Sequence, residues 1–205
     1  EYLVAVYVWS VYTECMHGMP SERPVRVAVP VNLRPYFNSI TTKNFFVMVS
    51  AEFHPTKEIY TFEEVLKSVS ESLRSQISRE NLEKLFSYNV SNEKLLAARI
   101  VPLFLKNLAM RYVYTTSALA NTATVTNIGN ISVSEEYRPY VEMFHAFLAM
   151  SKGQHLKGTI CSYGDTLVFS FSYDLTDTSV QRGFFRKIAA DGIAVEIETN
   201  GVNYE

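Results

Sequence analysis

Four histidines and two cysteines are the side chains of this sequence best suited to proton transfer or thiol chemistry near neutral pH. Cys15 and His17 stand two residues apart. On a helix that interval turns them away from each other, because facing pairs need a spacing of three or four, so the pattern does not describe a thiol activated by its own imidazole. His17 followed by Gly18 reads instead as a helix end, where a partial positive charge and a residue free to adopt positive φ are both favourable. His145, His155 and Cys161 could approach one another across neighbouring strands, but zinc sites use tighter spacing, and core and surface histidines account for them. Asn89-Val90-Ser91 and Asn130-Ile131-Ser132 match glycosylation acceptors by chance. Gly18, Gly129 and Gly153 form no glycine-rich run between a strand and a helix, as a phosphate cradle would need.

Two groupings carry more. Asn32 and Arg34, two apart at the end of an alternating segment, point the same way if that segment is extended. A buried Arg34 would need a partner, since an unpaired buried charge costs about 3 to 5 kcal/mol; the alternative is that it lies exposed past the strand end. Thr126-Asn127-Ile128-Gly129-Asn130 places an amide and a glycine at a strand end, where glycine admits close approach by a ligand or backbone, or simply forms a bulge or turn.

The elements that position these residues can be read from periodicity. Tyr2 to Trp9 is apolar on every face, which requires burial on every face; valines favour a strand, but length and the closing Gly18 predict a buried helix. Val25, Val27, Val29, Val31 and Leu33 alternate with Arg26, Ala28, Pro30, Asn32 and Arg34, predicting a strand with two unlike faces. A second strand is predicted over about Phe45–Phe53. A helix follows from Thr61, where Thr61 and Glu64 form a capping box ahead of a stripe of Phe62, Val65, Leu66, Val69 and Leu73. Helices are expected over Ser78–Tyr88 and Ser91–Tyr114, the second with Leu95, Leu96, Ile100, Leu103 and Leu108 inside and a break near Pro102. Strands are expected over Ala123–Ile131 and Val141–Met150, then a hairpin at Gly164-Asp165. A helix from Thr178, capped with Gln181 and ended by Asp191-Gly192, leads to a last strand through Ile193, Val195 and Ile197. The order predicts an α/β layer structure with a mixed sheet covered by helices.

The 205 residues are 47% hydrophobic with a formal charge of -2, enough apolar matter for a self-standing core and no basic stretch. That excludes a nucleic-acid binder acting mainly through phosphate neutralisation. Glu14 and His17 end the first apolar run well short of the ~20 residues that span a bilayer, so neither a signal peptide nor an anchor is expected. Two distant cysteines suit a reducing compartment, and the chain reads as cytoplasmic. Because it opens inside an apolar run, it also reads as part of something longer.

Taken in order, the segments 24–34 (PVRVAVPVNLR), 44–49 (NFFVMV), 126–130 (TNIGN) and 167–174 (LVFSFSYD) resemble the C-terminal half of the CoA-dependent acyltransferase superfamily, whose fold is that of chloramphenicol acetyltransferase. Alcohol acetyltransferase-like proteins and the condensation domains of non-ribosomal peptide synthetases are the members it is most similar to. The resemblance spans nearly the whole chain as one domain, 1–205.

In that superfamily two lobes enclose a tunnel, and a His-His-x-x-x-Asp-Gly motif in the N-terminal lobe supplies the general base. This sequence has no adjacent histidines. The resemblance therefore implies a C-terminal lobe that is inactive alone, completed by a missing N-terminal lobe. The parent would move an acyl group from acyl-CoA as co-substrate, or from a carrier thioester, to a small-molecule alcohol or amine. Arg34 would form a structural salt bridge to the aspartate of the catalytic motif, and Asn32, Asn44, Asn127 and Gly129 would line the tunnel. The alternatives are a noncatalytic binding module of the same fold and a piece of a peptide-synthetase condensation domain. An apolar or Arg34-centred face left open by the absent lobe would let the chain self-associate.

Overall fold

The computed structural model describes residues 1–94, 101–151 and 153–200, with side chains described for all of these but 89–94 and 117–119. Helix α1 (Tyr2–Ser10) continues into one π-helical turn, Val11–Cys15. Then come β1 (Val25–Asn32), the short helix α2 (Arg34–Phe37), β2 (Phe46–Phe53), α3 (Phe62–Gln76), α4 (Arg79–Lys94) and α5 (Leu103–Leu119). After these follow β3 (Ala123–Asn130), β4 (Leu156–Tyr163), β5 (Thr166–Tyr173) and α6 (Ser179–Ala190). The strands form one mixed sheet in the order β2-β1-β3-β4-β5; β1–β2 and β4–β5 are antiparallel, and β1–β3 and β3–β4 are parallel.

The apolar opening behaves as its composition demands. Val4 to Val8 are buried because α1 lies between the sheet and the flanking helices α3 and α6. The π-turn begins where Ser10 Oγ donates to Val6 O (2.8 Å) and Thr13 Oγ1 donates to Trp9 O (3.0 Å), hydroxyls that compete with the helical ladder. Here α1 and α6 approach so closely that a Cβ on Gly183 would sit 2.9 Å from Glu14 Cγ. Below them Tyr7, Phe169, Phe171 and Phe184 pack ring on ring, and burial pushes the Tyr7 phenol far above its ordinary pKa.

Helix α3 starts on the predicted capping box: Glu64 N donates to Thr61 Oγ1 (3.3 Å), and Thr61 N donates to Glu64 Oε2 (2.9 Å). Val65, Val69 and Leu73 are buried against the sheet. The hairpin turns at Gly164, whose φ of 57° suits the first position of a two-residue loop. Helix α6 ends in a Schellman arrangement, Gly192 N bonding Ala189 O and Ile193 N bonding Ile188 O with Gly192 at φ 85°.

Six expectations are corrected. Arg34 is not on the strand face, because Leu33 turns helical (φ −86°, ψ −13°) and Arg34 opens α2. No break separates residues 88 and 91: α4 runs on to Lys94, begun by Ser78 Oγ accepting from Asn81 N. Leu103 and Leu108 are exposed, since α5 stands off the core, while Leu95, Leu96 and Ile100 lie outside the described residues. Val141–Met150 forms no strand; it covers the face of β4 opposite the helices, tied down by Lys157 and Cys161 side chains. Ile193, Val195 and Ile197 form no strand, because a cleft of about 1440 Å³ separates residues 193–200 from the outer edge of β5. Thr178 is the N-cap of α6 as expected, but no capping box forms with Gln181: the Asp177 carboxylate, one residue earlier, accepts from the Ser179 N–H (2.9 Å) and from the Ser179 hydroxyl (2.8 Å).

Candidate functional site

Parallel strands β1 and β3 share only two paired positions, Val27 with Ala123 and Ala28 with Thr124. Beyond them β1 stays paired with β2 as far as Asn32–Phe46, and β3 stays paired with β4 as far as Asn130–Ser162. The carboxyl ends of β1 and β3 therefore diverge and open a V in the sheet. In open α/β sheets this is where ligands enter, outside the carboxyl ends of parallel strands whose neighbours part.

One lip holds Asn32, Arg34 and Asn44. Leu33 is fully buried and its N–H donates to Phe45 O (3.0 Å), so the corner is fixed while the residues around it reach outward. Phe37 of α2 and Phe86 of α4 brace it against Phe45, with Phe45 and Phe86 centroids 5.4 Å apart. The half-buried Arg34 folds its guanidinium into its own loop. Nε and Nη2 donate to Thr41 O (3.2 and 3.1 Å), Nη2 to Lys43 O (2.7 Å), and Nη1 to Asn32 Oδ1 (3.3 Å). Asn32 Oδ1 also accepts from Arg34 N (3.1 Å). Four of the five guanidinium protons are thus engaged, leaving one on Nη1. Asn44 is exposed just ahead of β2, beside this corner in the antiparallel register.

The other lip is a β-bulge. The β3–β4 register shifts between Asn127 and Gly129, Gly129 adopts φ 88°, and Gly129 N donates to Asn127 Oδ1 (2.8 Å). No described atom lies within 4 Å of where a Gly129 Cβ would stand, so backbone conformation, not close packing, calls for glycine there. Ile128, the extra residue, is 56% exposed at the mouth. All five residues expected at a site thus stand at one end of the sheet, Asn32, Arg34 and Asn44 on one lip, Asn127 and Gly129 on the other.

Neither lip offers a side chain that takes up a proton near neutral pH. His155, at the amino end of β4, pairs with Asp174 (2.9 Å), and His54, just past the end of β2, with Glu52 (3.4 Å); both lie at the opposite end of the sheet. His145 faces Glu198 (3.6 Å). Burial, then Asp177 and Glu14, push the Cys15 thiol up, the reverse of what a nucleophile needs. Lys157 is a feature that periodicity could not flag: it is buried on the face of β4 opposite the helices, its Nζ donating to Ala149 O and Ser151 Oγ. The one sequence signal was a lysine inside an otherwise uncharged strand segment.

Neither a protein-family model nor a curated protein matches this sequence. Among solved structures the chain is similar to one described as "Molecular basis for condensation domain-mediated chain release from the enacyloxin polyketide synthase", with TM-score 0.43 and 10% identity over 98% of this chain. The chain spans 38% of the length of that one. At that level neither family nor activity follows from the likeness.

Proposed function

We propose that this chain is the C-terminal lobe of a two-lobe acyltransferase that moves an acyl group from CoA, or from a carrier-bound thioester, to a small-molecule alcohol or amine. The observation that carries the reading is the V between β1 and β3, edged by amides, a guanidinium and an open bulge but by no general base. Such a wall can bind and orient a polar substrate. Proton abstraction from the acceptor needs a group titrating near neutral pH, which the reading assigns to a histidine of the other lobe. Asn32, Asn44 and Asn127 would orient the acyl and acceptor groups, and Gly129 keeps the bulge in place. The remaining Nη1 proton of Arg34 would reach the aspartate of the partner lobe's histidine loop. The compartment would be cytoplasmic; among the described residues no helix is long and apolar enough to cross a membrane.

The test is thioester turnover by the intact protein, read as thiol released. Asn127→Ala together with Asn32→Ala should lower kcat/KM at least tenfold, and turnover unchanged in the double variant refutes the assignment. A second reading, a binding module that keeps the fold without catalysis, is favoured by the engagement of four Arg34 donors within its own loop. It predicts ligand binding with no thiol release.

A further inference from the structure

Lys157 projects from the face of β4 opposite the helical layer, beside Thr124 of β3, and is 7% exposed. Its Nζ donates to Ala149 O (2.7 Å) and Ser151 Oγ (2.6 Å), and among the described residues no carboxylate lies within ion-pair distance of it. An ammonium has three donors, of which the described residues fill two, and a buried cation lacking a counter-charge is held at a loss. Because Ser151 Oγ accepts from the ammonium, its own proton must point elsewhere. Ser151 lines a cavity of about 290 Å³ on this face, at the closed end of the V where Ala28 and Thr124 still pair. Thr124 and Gln154 line it with Ser151, as do Ala28, Met48 and Tyr114, while Asn121 is tied to β2 by accepting from Ser50 Oγ (3.1 Å).

We infer that this cavity is a binding site for a small carboxylate with a short apolar tail. The carboxylate accepts from the Ser151 hydroxyl, with Gln154 and Thr124 as further donors, and its charge offsets Lys157 one hydroxyl away. The tail packs on Met48 and Tyr114. The volume, at the low end for ligand pockets, restricts the tail to a few carbons. The site does not depend on the acyl-transfer reading, since a noncatalytic module could hold the same ligand.

The probe is sodium butyrate, titrated calorimetrically into the intact protein against butyramide and against sodium chloride at equal ionic strength. Butyrate should bind saturably, with butyramide at least tenfold weaker because it brings no charge to the Lys157 side, and chloride giving no binding heat because it brings no tail for Met48 and Tyr114. Ser151→Ala should weaken butyrate about tenfold or more, and Lys157→Met should abolish the preference over butyramide. Should Lys157→Met fail to fold, Ser151→Ala and the butyramide comparison decide alone. Equal affinity for butyrate and butyramide, full affinity in Ser151→Ala, or no butyrate binding would overturn the site. An intact protein that binds butyrate but turns over no thioester would overturn the acyl-transfer reading and leave this one standing.

Discussion

Replacing Arg34 with methionine tests whether this residue holds its own lip of the V. The guanidinium closes the 38–44 loop through contacts to Thr41 O (3.2 and 3.1 Å), Lys43 O (2.7 Å) and Asn32 Oδ1 (3.3 Å). A hydrogen bond contributes about 0.5 to 1.5 kcal/mol when neutral and about 1.5 to 3 when one partner is charged, and the lower range applies to a guanidinium that solvent screens. The 3.3 Å contact is long, and the two bonds to Thr41 share one acceptor, so about two full bonds is the better count. Arg34 is only half-buried, and water can reach the vacated carbonyls, which discounts the sum again. The expected loss is about 1 to 2 kcal/mol, or roughly 3 to 6 °C in melting temperature for a chain of this size. Arg34→Lys should recover less than half of it, because a lysine lacks the planar fork that bridges two carbonyls and an amide at once. Calorimetric melting gives the stability, and hydrogen exchange of amides 38–44 locates the effect. A melting temperature within 1 °C of the parent, with no faster exchange in that loop, would refute the clamp and free Arg34 for a partner in trans.

A Cβ at Gly158 would stand 2.7 Å from Phe169 Cζ and 3.2 Å from Val125 Cγ2, and Phe169 is held by Phe184 with centroids 4.3 Å apart. Gly158→Ala should therefore cost about 1 to 3 kcal/mol in urea melts, and Phe169→Leu should relieve part of it. Thr61→Ala removes the cap of α3 and should cost about 1 kcal/mol with the denaturant slope unchanged, a changed slope contradicting a purely local effect. Hydrogen bonds from the Ser179 N–H and then its hydroxyl hold the Asp177 carboxyl below the usual range. A depressed folded-state pKa stabilises above the unfolded value and is lost as pH falls through the folded one. The melting temperature of Asp177→Asn should therefore depend less on pH than the parent's below about pH 4, and parallel curves would contradict this. Residues 1–205 on their own should sediment with a concentration-dependent mass that Leu108→Lys with Val113→Lys reduces; a monomer at high concentration argues against an adhesive α5.

Much of the scaffold was legible because it is fixed by local signals. The Thr61–Glu64 capping box, Gly164 in the hairpin and Gly192 after α6 are each dictated by backbone requirements within a few residues, and all three are observed. What could not be read depends on tertiary company. Ile193, Val195 and Ile197 alternate as a strand should, but alternation does not supply a ladder, and the nearest strand edge lies across a cleft. Thr178 and Gln181 have the capping-box spacing, yet Asp177 has the stronger acceptor and takes the Ser179 N–H. At the candidate site the alternation placed Asn32 correctly but carried Arg34 one step too far along the strand, because the turn at Leu33 is set by its burial and its bond to Phe45. The Asn127–Gly129 bulge was among the alternatives, and the register shift selects it. A lone lysine in an uncharged strand segment was the one sign of Lys157, and its surroundings were not legible, since only the fold brings residues 149–151 over its ammonium.

Helices α1 and α5 make the same demand on their surroundings and meet opposite outcomes. Helix α1 carries no charge, and on α5 Lys106, Asn107, Arg111, Thr115 and Thr116 are interspersed with large apolar side chains rather than gathered on one polar face. A helix with large apolar side chains on every face gains stability when it is enclosed, because each exposed one forgoes about 1.5 to 3 kcal/mol of burial. The sheet, α3 and α6 enclose α1. On α5, Leu103, Phe104, Leu108, Met110, Tyr112 and Tyr114 are exposed, and only its last turns come near the sheet, where Tyr114 meets Met48 at the small cavity. Exposed Phe46 and Met48 continue the same apolar character onto the open face of β2. The proposed second lobe accounts for the open face and for the missing base together, because a body seated on α5 and β2 lies next to the mouth of the V. A self-associated dimer would cover the same face but bring a second copy of lips that lack a base. Thioester turnover that survives when α5 is made polar would therefore separate the two, since the lobe reading requires α5 to be covered in the active protein.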